Sequence, residues 1–149
     1  MKILFIYPNA NSQLGFHYGI AHMSGVLKEK GHAVSLWQLC EEIAPLPDKK
    51  TFIERIQLEN PDVIGFSIVT NQWPYTKTLS QWAREASKAV LVCGGVHALA
   101  VPEEILQSEL FDYVFRGEAE WAFSEFIENL SQGQDVKNIK NLAYIEKGV

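Results

Sequence analysis

The sequence predicts a protein of the α/β class, with a mostly parallel sheet of five strands, helices on both faces and a possible extra strand at the C-terminal edge. Two observations support this fold class. Continuous apolar runs typical of buried strands alternate along the chain with segments of helical spacing. The connecting loops are short, and the chain of 149 residues has the usual length of one domain. Such an alternation indicates a parallel sheet buried between two helical layers.

Strands are predicted where apolar runs end in turn-forming residues. The run 2–7 ends at Pro8 and Asn9, and the run 89–93 ends at two glycines. The segment 32–39 instead alternates between apolar and polar residues, which is typical of a strand with one solvated face. The predicted strands are 2–7, 32–39, 62–69, 89–93 and 111–116, with 141–148 as the extra edge strand.

Helices are predicted between these strands, where apolar residues recur every three or four positions. Tyr75 and Leu79 belong to the clearest amphipathic segment. Pro102, followed by two acidic residues, suits the first turn of a helix. Pro61 ends the predicted helix 51–60, because the residue before a proline disfavours helical backbone. The predicted helices are 18–31, 51–60, 75–88, 102–108 and 118–133.

Composition argues against several classes of protein. The formal net charge is −5, so the basic surface of a nucleic-acid-binding protein is not expected. No apolar run approaches the roughly 20 residues of a membrane span, and the first residues lack the pattern of a signal peptide. The two cysteines, Cys40 and Cys93, are far apart and do not predict a disulfide framework. A cytoplasmic protein is therefore expected.

The candidate site consists of the segments that follow the strands, because ligands of open parallel sheets bind outside the carboxyl ends of the strands. These segments are 8–18, 69–74, 94–101 and the turn at Gly117. They are richer in Asn, Gln, His and Gly than the loops at the opposite edge. A ligand is therefore expected at the carboxyl edge of the sheet.

Two glycine features of this edge allow more than one interpretation. The pair Gly94-Gly95 either lets a ligand approach the backbone closely or forms a tight turn that needs a positive φ. Gly117 precedes Glu118 and Glu120, whose carboxylates either contact a ligand or interact with a helix N-terminus. The residues alone leave both questions open.

Common motifs of catalysis and nucleotide binding are missing from these segments. The loop PNANSQLGFHYG lacks the glycine spacing of a dinucleotide site and the lysine of a phosphate-binding P-loop. Cys93 ends a buried strand, where a thiol is usually inert. His17 and His97 could face the same cleft, but two histidines without a third ligand do not predict a metal site. Neither a catalytic residue nor a metal site is predicted.

Several segments together carry a resemblance to a known family. FIYPN ends the first strand, and GIAHMSGVLKEKGHAVSLW and NPDVIGFSIVT follow it. CGGVHALAVPEE and then DYVFRGEAE are the most specific, since they match a G-G-x-H-x-x-x-x-P-E-E and G-E-x-E pattern. Over nearly its whole length the chain resembles the cobalamin (vitamin B12)-binding domain at the N-terminus of many radical S-adenosylmethionine enzymes. The anaerobic magnesium-protoporphyrin monomethyl ester cyclases are one such group.

This resemblance implies a Rossmann-like (flavodoxin-like) three-layer domain over residues 1–149 that binds cobalamin. The corrin ring would lie over the carboxyl ends of the strands. The nucleotide tail would enter a crevice between the first loop and the later strands, passing close to the backbone at the two consecutive glycines. The cofactor-binding residues that the resemblance implies are Pro8, Asn9, Leu14, Gly15, Phe16, His17, Ser67, Val69, Thr70, Gly94, Gly95, His97, Gly117 and Glu118.

One motif of the related methyl-transfer domains is broken here. Those domains carry D-x-H-x-x-G, whose histidine ligates cobalt from below. In LGFHYG, Gly19 takes the glycine position, Phe16 the histidine position and Leu14 the aspartate position. His17 is displaced by one residue and lacks an acidic partner to orient its ring. The resemblance therefore implies base-off, His-off cobalamin with Phe16 or a neighbour over its lower face; cobalt ligation by His17 is the alternative.

The resemblance also implies partners outside this chain. A radical S-adenosylmethionine domain holds its 4Fe-4S cluster with C-x-x-x-C-x-x-C, and this chain has only two cysteines. We therefore expect a fragment of a longer protein, whose C-terminal radical domain binds the cluster and S-adenosylmethionine and acts as a cyclase (oxidoreductase), a methyltransferase or another type of enzyme. The alternatives are a stand-alone α/β enzyme or binding domain for a nucleotide or nucleotide-sugar, and a scaffold that has lost its ligand.

Overall fold

Strands and helices alternate along the chain as the sequence predicts. The computed structural model describes residues 1–145. The strands are β1 (Lys2–Pro8), β2 (Ala33–Leu39), β3 (Val63–Ser67), β4 (Val90–Gly94), β5 (Tyr113–Phe115) and β6 (Leu142–Ala143). The helices are α1 (Tyr18–Glu29), α2 (Lys49–Glu59), α3 (Trp73–Ala86), α4 (Val96–Ala100), α5 (Pro102–Gln107) and α6 (Glu120–Ser131).

The strands form one sheet in the order β2-β1-β3-β4-β5-β6. Strands β1 to β5 are parallel, and β6 pairs antiparallel with β5. The predicted five-stranded parallel sheet with an extra C-terminal edge strand is therefore confirmed. Of the predicted final strand, residues 142–143 are extended, and 146–148 lie outside the described residues.

The strand order reverses between β1 and β3. Strand β1 pairs with β2 on one side and with β3 on the other, and each later strand is added beyond β3. Ligands of doubly wound sheets bind at such a switch point, between loops that leave the sheet in opposite directions. The fold therefore places the segments after β1 and β3 at the centre of the carboxyl edge.

Some helix boundaries differ from the prediction. Helix α3 begins at Trp73 rather than Tyr75, after a short 3₁₀ turn over Thr70–Gln72. Pro74 lies in its first turn, where the missing N–H is not needed. Helix α4 occupies a segment that the sequence predicts as a loop, because five residues are too few to show a helical period.

The two faces of the sheet are covered by different helices. Side chains alternate across each strand, so Phe66 and Cys93 point to one face while Phe5 and Val92 point to the other. Helices α2 to α5 cover the first, which we call the α2/α3 face. Helices α1 and α6, which contact each other, cover the second, the α1/α6 face. Within residues 1–145, none of the helices has the length and apolar character needed to cross a bilayer.

Candidate functional site

A narrow crevice opens between the α1/α6 face and its two helices, at the carboxyl ends of β3 and β4. It has a volume of about 50 Å³. The residues that line the crevice are Phe5, Ile20, Met23, Gly65, Phe66, Ser67, Val92, Cys93, Gly94, Phe115, Ala119 and Phe123. This lining is almost wholly apolar and brings together Ser67 and Gly94, two of the predicted site residues.

The crevice opens where the small residues Ser67 and Gly94 leave space on this face. Gly65 and Ser67 on β3 and Gly94 on β4 occupy positions whose side chains would point toward α1 and α6. A Cβ atom at Gly65 would lie 3.0 Å from Cδ1 of Phe5, so that ring already fills the space of a side chain. A Cβ atom at Gly94 would lie 3.7 Å from Cβ of Phe115, which is ordinary contact. Larger side chains at Gly94 would therefore grow into the crevice.

The two consecutive glycines have different structural roles. Gly95 has φ +101°, and a Cβ atom there would lie 2.6 Å from the carbonyl oxygen of Ile68. The same carbonyl accepts a hydrogen bond from the amide of His97 at 3.1 Å. The tight-turn interpretation therefore accounts for Gly95, whereas Gly94 lines the crevice, as close approach of a ligand requires.

His17 caps α1 at the mouth of the crevice. Its Nδ1 atom accepts a hydrogen bond from the amide of Ile20 at 3.2 Å, and its Nε2 atom lies 2.7 Å from Oγ of Ser67. Because Nδ1 accepts, the neutral ring carries its hydrogen on Nε2, which donates to Ser67. Partial burial lowers the pKa of His17, which favours this neutral form. Both ring nitrogens are thus engaged, and this arrangement favours a helix cap over a metal ligand.

Large apolar side chains are exposed around the carboxyl edge. Phe16 is 70 % exposed and meets Tyr18 edge-on, with ring centroids 4.9 Å apart. Others follow β4 and β5, where they would interact with a flat apolar ligand or with a partner. The exposed apolar residues of this edge are Leu14, Phe16, Tyr18, Val96, Leu99 and Trp121.

The structure does not bring His17 and His97 together. The His97 side chain is 4 % exposed and lies on the α2/α3 side of β4, with its ring 5.2 Å from that of Trp73. Neither of its ring nitrogens has a hydrogen-bond partner within residues 1–145. In the same part of the chain, no group of three or more His, Cys, Asp or Glu side chains could hold a metal ion.

The other predicted residues of the first two loops do not line the crevice. Pro8 and Asn9 are buried at the end of β1, and the side-chain amide of Asn9 donates to the carbonyl of Gln13 at 2.9 Å. The carbonyl of Gly15 accepts a hydrogen bond from Gln38. Val69 and Thr70 lie at the start of the 3₁₀ turn. These residues shape the two loops at the switch point.

The turn before α6 lies beside a second, more open groove. Gly117 has φ +86°, and Glu118 contributes to a groove of about 670 Å³ over α6 that also contains His22 and Trp121. Glu120 is the acidic residue of the first turn of α6, so interaction with the helix N-terminus accounts for it, whereas Glu118 precedes the helix. This groove is lined mostly by polar and charged side chains, so the apolar crevice at the carboxyl ends of β3 and β4 is the better candidate site for an apolar ligand.

Both cysteines are buried free thiols. Burial raises the pKa of the Cys93 thiol, so it stays protonated and unreactive. Cys40 donates a weak hydrogen bond to the carbonyl of Ser12. Both thiols are therefore packed in the interior of the protein.

Sequence reasoning missed the residues that form the floor of the crevice. Gly65, Phe5 and Phe115 were not among the predicted site residues, although all three line the crevice. A usable signal was present, since Gly65 and Ser67 are two small residues two positions apart in an otherwise apolar strand. With a period of two, such residues fall on the same face and leave room there for a neighbouring ring or for a ligand.

Comparison with known proteins finds the family that the sequence resembles. The model of the family described as "B12 binding domain" matches residues 12–127. An uncharacterised methyltransferase of Pyrococcus horikoshii is 29 % identical over 157 residues, which cover 99 % of this chain and 33 % of the relative. Cytidylyl-2-hydroxyethylphosphonate methyltransferase of Streptomyces wedmorensis is 24 % identical over 168 residues, covering 98 % of this chain and 32 % of the relative. The chain thus spans about a third of the length of these curated relatives.

Solved structures share the fold. The radical S-adenosylmethionine methyltransferase TsrM from Kitasatospora setae, solved with cobalamin and a [4Fe-4S] cluster, superposes with a TM-score of 0.85 at 18 % identity. That match covers 98 % of this chain and 27 % of TsrM. The cobalamin-dependent radical enzyme OxsB, with aqua-cobalamin and S-adenosylmethionine bound, gives a TM-score of 0.77 at 14 % identity over 98 % of this chain and 21 % of OxsB.

Proposed function

Because this chain belongs to the family of B12 binding domains, we propose that it holds base-off, His-off cobalamin as one module of a longer radical S-adenosylmethionine enzyme. Cobalamin is the cofactor of this family. The observation that carries the proposal is the apolar crevice at the carboxyl ends of β3 and β4, which opens beside Ser67 and Gly94. When bound, cobalamin supplies cobalt-centred redox and alkyl-transfer chemistry.

The crevice suits the nucleotide tail in its chemistry and position. Phe5, Phe115 and Phe123 offer ring surfaces to an aromatic base, and the hydroxyl of Ser67 is the polar group at the mouth. At about 50 Å³ the crevice is much smaller than the roughly 300–1,000 Å³ of ordinary ligand pockets. Entry of the tail therefore requires the crevice to widen.

The exposed apolar residues of the carboxyl edge suit the corrin ring. Phe16 and Leu14 project from the loop after β1 and would cover the lower face of the ring, while Val96 and Leu99 follow β4. Exposing large apolar side chains to water is unfavourable, and a flat apolar cofactor would cover them. In this arrangement His17 keeps its bonds to Ser67 and to the amide of Ile20 and does not ligate cobalt.

The whole protein is proposed to be larger than this chain. The curated relatives are about three times as long, both are named as methyltransferases, and TsrM and OxsB carry radical S-adenosylmethionine chemistry in longer chains. We therefore favour a C-terminal radical domain that binds a 4Fe-4S cluster and S-adenosylmethionine. We favour methyl transfer over cyclisation as the reaction of the whole protein. We also favour a cytoplasmic location. A C-x-x-x-C-x-x-C motif downstream in the gene would support this extension.

Cobalamin titration tests the proposal. Cob(II)alamin is added anaerobically to this chain and to the longer gene product, and binding is followed by visible absorption and EPR. We expect saturable binding and a Co(II) spectrum without superhyperfine coupling to an imidazole nitrogen. Absence of binding in both samples would overturn the proposal, and binding of a nucleotide-sugar in its place would support the alternative ligand.

The lower axial position needs its own control. Imidazole coupling in the wild type that disappears in His17→Asn would replace the His-off state with ligation by His17. Asn is a good helix N-cap, so this variant keeps the start of α1. The EPR spectra of the wild type and of His17→Asn together show whether His17 is the lower axial ligand of cobalt.

A further inference from the structure

The loop that joins β1 to α1 is held by side chains from neighbouring segments. It lacks regular structure over residues 9–17. Yet the amide of Asn11 donates to both carboxylate oxygens of Glu41, at 3.2 and 3.0 Å. Gln38 donates to the carbonyl of Gly15 at 3.0 Å. The loop that carries Leu14 and Phe16 is therefore fixed from outside, by contacts that sequence periodicity does not reveal.

A third side chain that holds this loop, that of Gln72, is buried. Its side-chain oxygen accepts a hydrogen bond from the amide of Ala10 at 3.1 Å, and its side-chain nitrogen donates to the carbonyl of Ala10 at 2.8 Å. The side chain thus binds both backbone polar groups of one residue, Ala10. Gln72 is only 3 % exposed, so water cannot readily replace these bonds if the side chain is removed.

Gln72 is itself held in place on the other side of the switch point. Its amide donates to the carbonyl of Val69 at 2.9 Å, and its carbonyl accepts from the hydroxyl of Thr76 at 2.8 Å. It ends the 3₁₀ turn that follows β3, the strand that contributes Gly65 and Ser67 to the crevice. The contact with Ala10 therefore couples the position of the first loop to the strand that forms the crevice.

We propose that Gln72 is a positioning residue for cobalamin, which sets the height of the β1–α1 loop over the carboxyl edge and so places Leu14 and Phe16 against the cofactor. The inference rests on the proposed function. It assigns to Gln72 a role that does not require contact with the cofactor. A loop held in the bound geometry beforehand binds more tightly, because less freedom is lost on binding.

Gln72→Met tests this role, because methionine has a similar length and cannot form either bond. Hydrogen exchange of the segment 10–16 is measured without cofactor, and cob(II)alamin affinity is measured by anaerobic titration. We expect exchange of that segment to rise about tenfold and affinity to fall about tenfold, as expected for a lost buried polar contact. Exchange of the second half of α3 should stay the same.

Ser80→Ala is the matched control. Ser80 is a buried polar residue two turns further along α3, and its hydroxyl donates to the carbonyl of Thr76 at 2.8 Å without reaching the loop. This variant should bind cobalamin like the wild type. Gln72→Glu serves if Gln72→Met does not fold, since a carboxylate can accept from the Ala10 amide but cannot donate to its carbonyl.

The outcomes separate this inference from the proposed function. If the wild type binds cobalamin and the Gln72 variants bind equally well, the positioning role is wrong. If loop exchange is unchanged in the variants, the coupling between Gln72 and the loop is wrong. If the wild type binds no cobalamin, the proposed function fails first and this inference fails with it.

Discussion

The two faces of the sheet differ most at the carboxyl ends of β3 and β4. On the α2/α3 face, Phe66 and Cys93 are buried and contribute to a continuous core. On the α1/α6 face, the neighbouring positions are Gly65, Ser67 and Gly94, and a crevice opens there. Strands β3 and β4, of five residues each, are therefore closely packed on one face and border a crevice on the other.

The difference teaches how a binding site can be built without disturbing the core. In a strand, alternate residues point to opposite faces, so small residues on one side leave the packing of the other intact. The aromatic cluster of Trp37, Phe52 and Trp82 stabilises the α2/α3 face independently of the crevice. Substitutions on the two faces should therefore separate folding from binding.

The largest effect is expected on the α2/α3 face. Phe52 is fully buried between Trp37 and Trp82, so Phe52→Ala should lower the free energy of unfolding by about 3–5 kcal/mol. Urea denaturation measures this change. The folded fraction should bind cobalamin as the wild type does, and a parallel loss of affinity would show that the two faces are coupled.

A smaller effect, confined to binding, is expected from Gly94→Val. The added methyl groups would enter the crevice, so cobalamin affinity should fall at least about tenfold, equivalent to about 1.4 kcal/mol. A Cβ atom at this position makes ordinary contacts, so the free energy of unfolding should change little. Gly94→Ala is the graded control and should lose less affinity; wild-type affinity in both variants would place the tail elsewhere.

The hydrogen bond between His17 and Ser67 at the crevice mouth should make the stability of the fold depend on pH. Because burial lowers the pKa of His17 below the unfolded value of about 6.5, protonation favours the unfolded chain. The stability contributed by the neutral ring is present above pH about 6.5 and is lost as pH falls through the lowered pKa. Urea midpoints at pH 7.5 and 5.5 should therefore differ less in His17→Asn than in the wild type; equal differences would contradict the assignment.

The smallest effect concerns a glycine outside the crevice. Gly25 is exposed within α1, and a Cβ atom there would meet no atom within 4 Å. Gly25→Ala should raise the free energy of unfolding by about 0.5–1 kcal/mol, because alanine favours helical backbone. Thermal and urea unfolding check the gain. Cobalamin affinity should not change, which would distinguish this glycine from those that form the crevice.

The fold was largely predictable because it depends on periodicity. Strand and helix alternation, the parallel sheet and the extra edge strand all follow from apolar spacing, and the structure confirms them. Short elements were missed. Helix α4 and the 3₁₀ turn before α3 each contain too few residues to repeat a pattern.

The site was only partly predictable, because its residues meet through tertiary contacts. The glycine pair was singled out, but the sequence could not separate the turn role of Gly95 from the crevice position of Gly94. The contact of Gln72 with Ala10 joins residues 62 positions apart, and no local pattern predicts it. His17 and His97 follow different strands and project to opposite faces, which loop position alone did not show.

The two helices that flank the crevice are far apart in the sequence of this domain. Helix α1 ends at Glu29 and α6 begins at Glu120, while α2 to α5, which cover the other face, all lie between them. At the usual rate of about 5–20 residues per second, a ribosome finishes α6 several seconds after α1. Throughout that interval a nascent chain can assemble most of the α2/α3 core, while the apolar side of α1 has no α6 beside it. The pocket is thus among the last parts of the domain to be completed, and a nascent chain can take up cobalamin there only once α6 has been made.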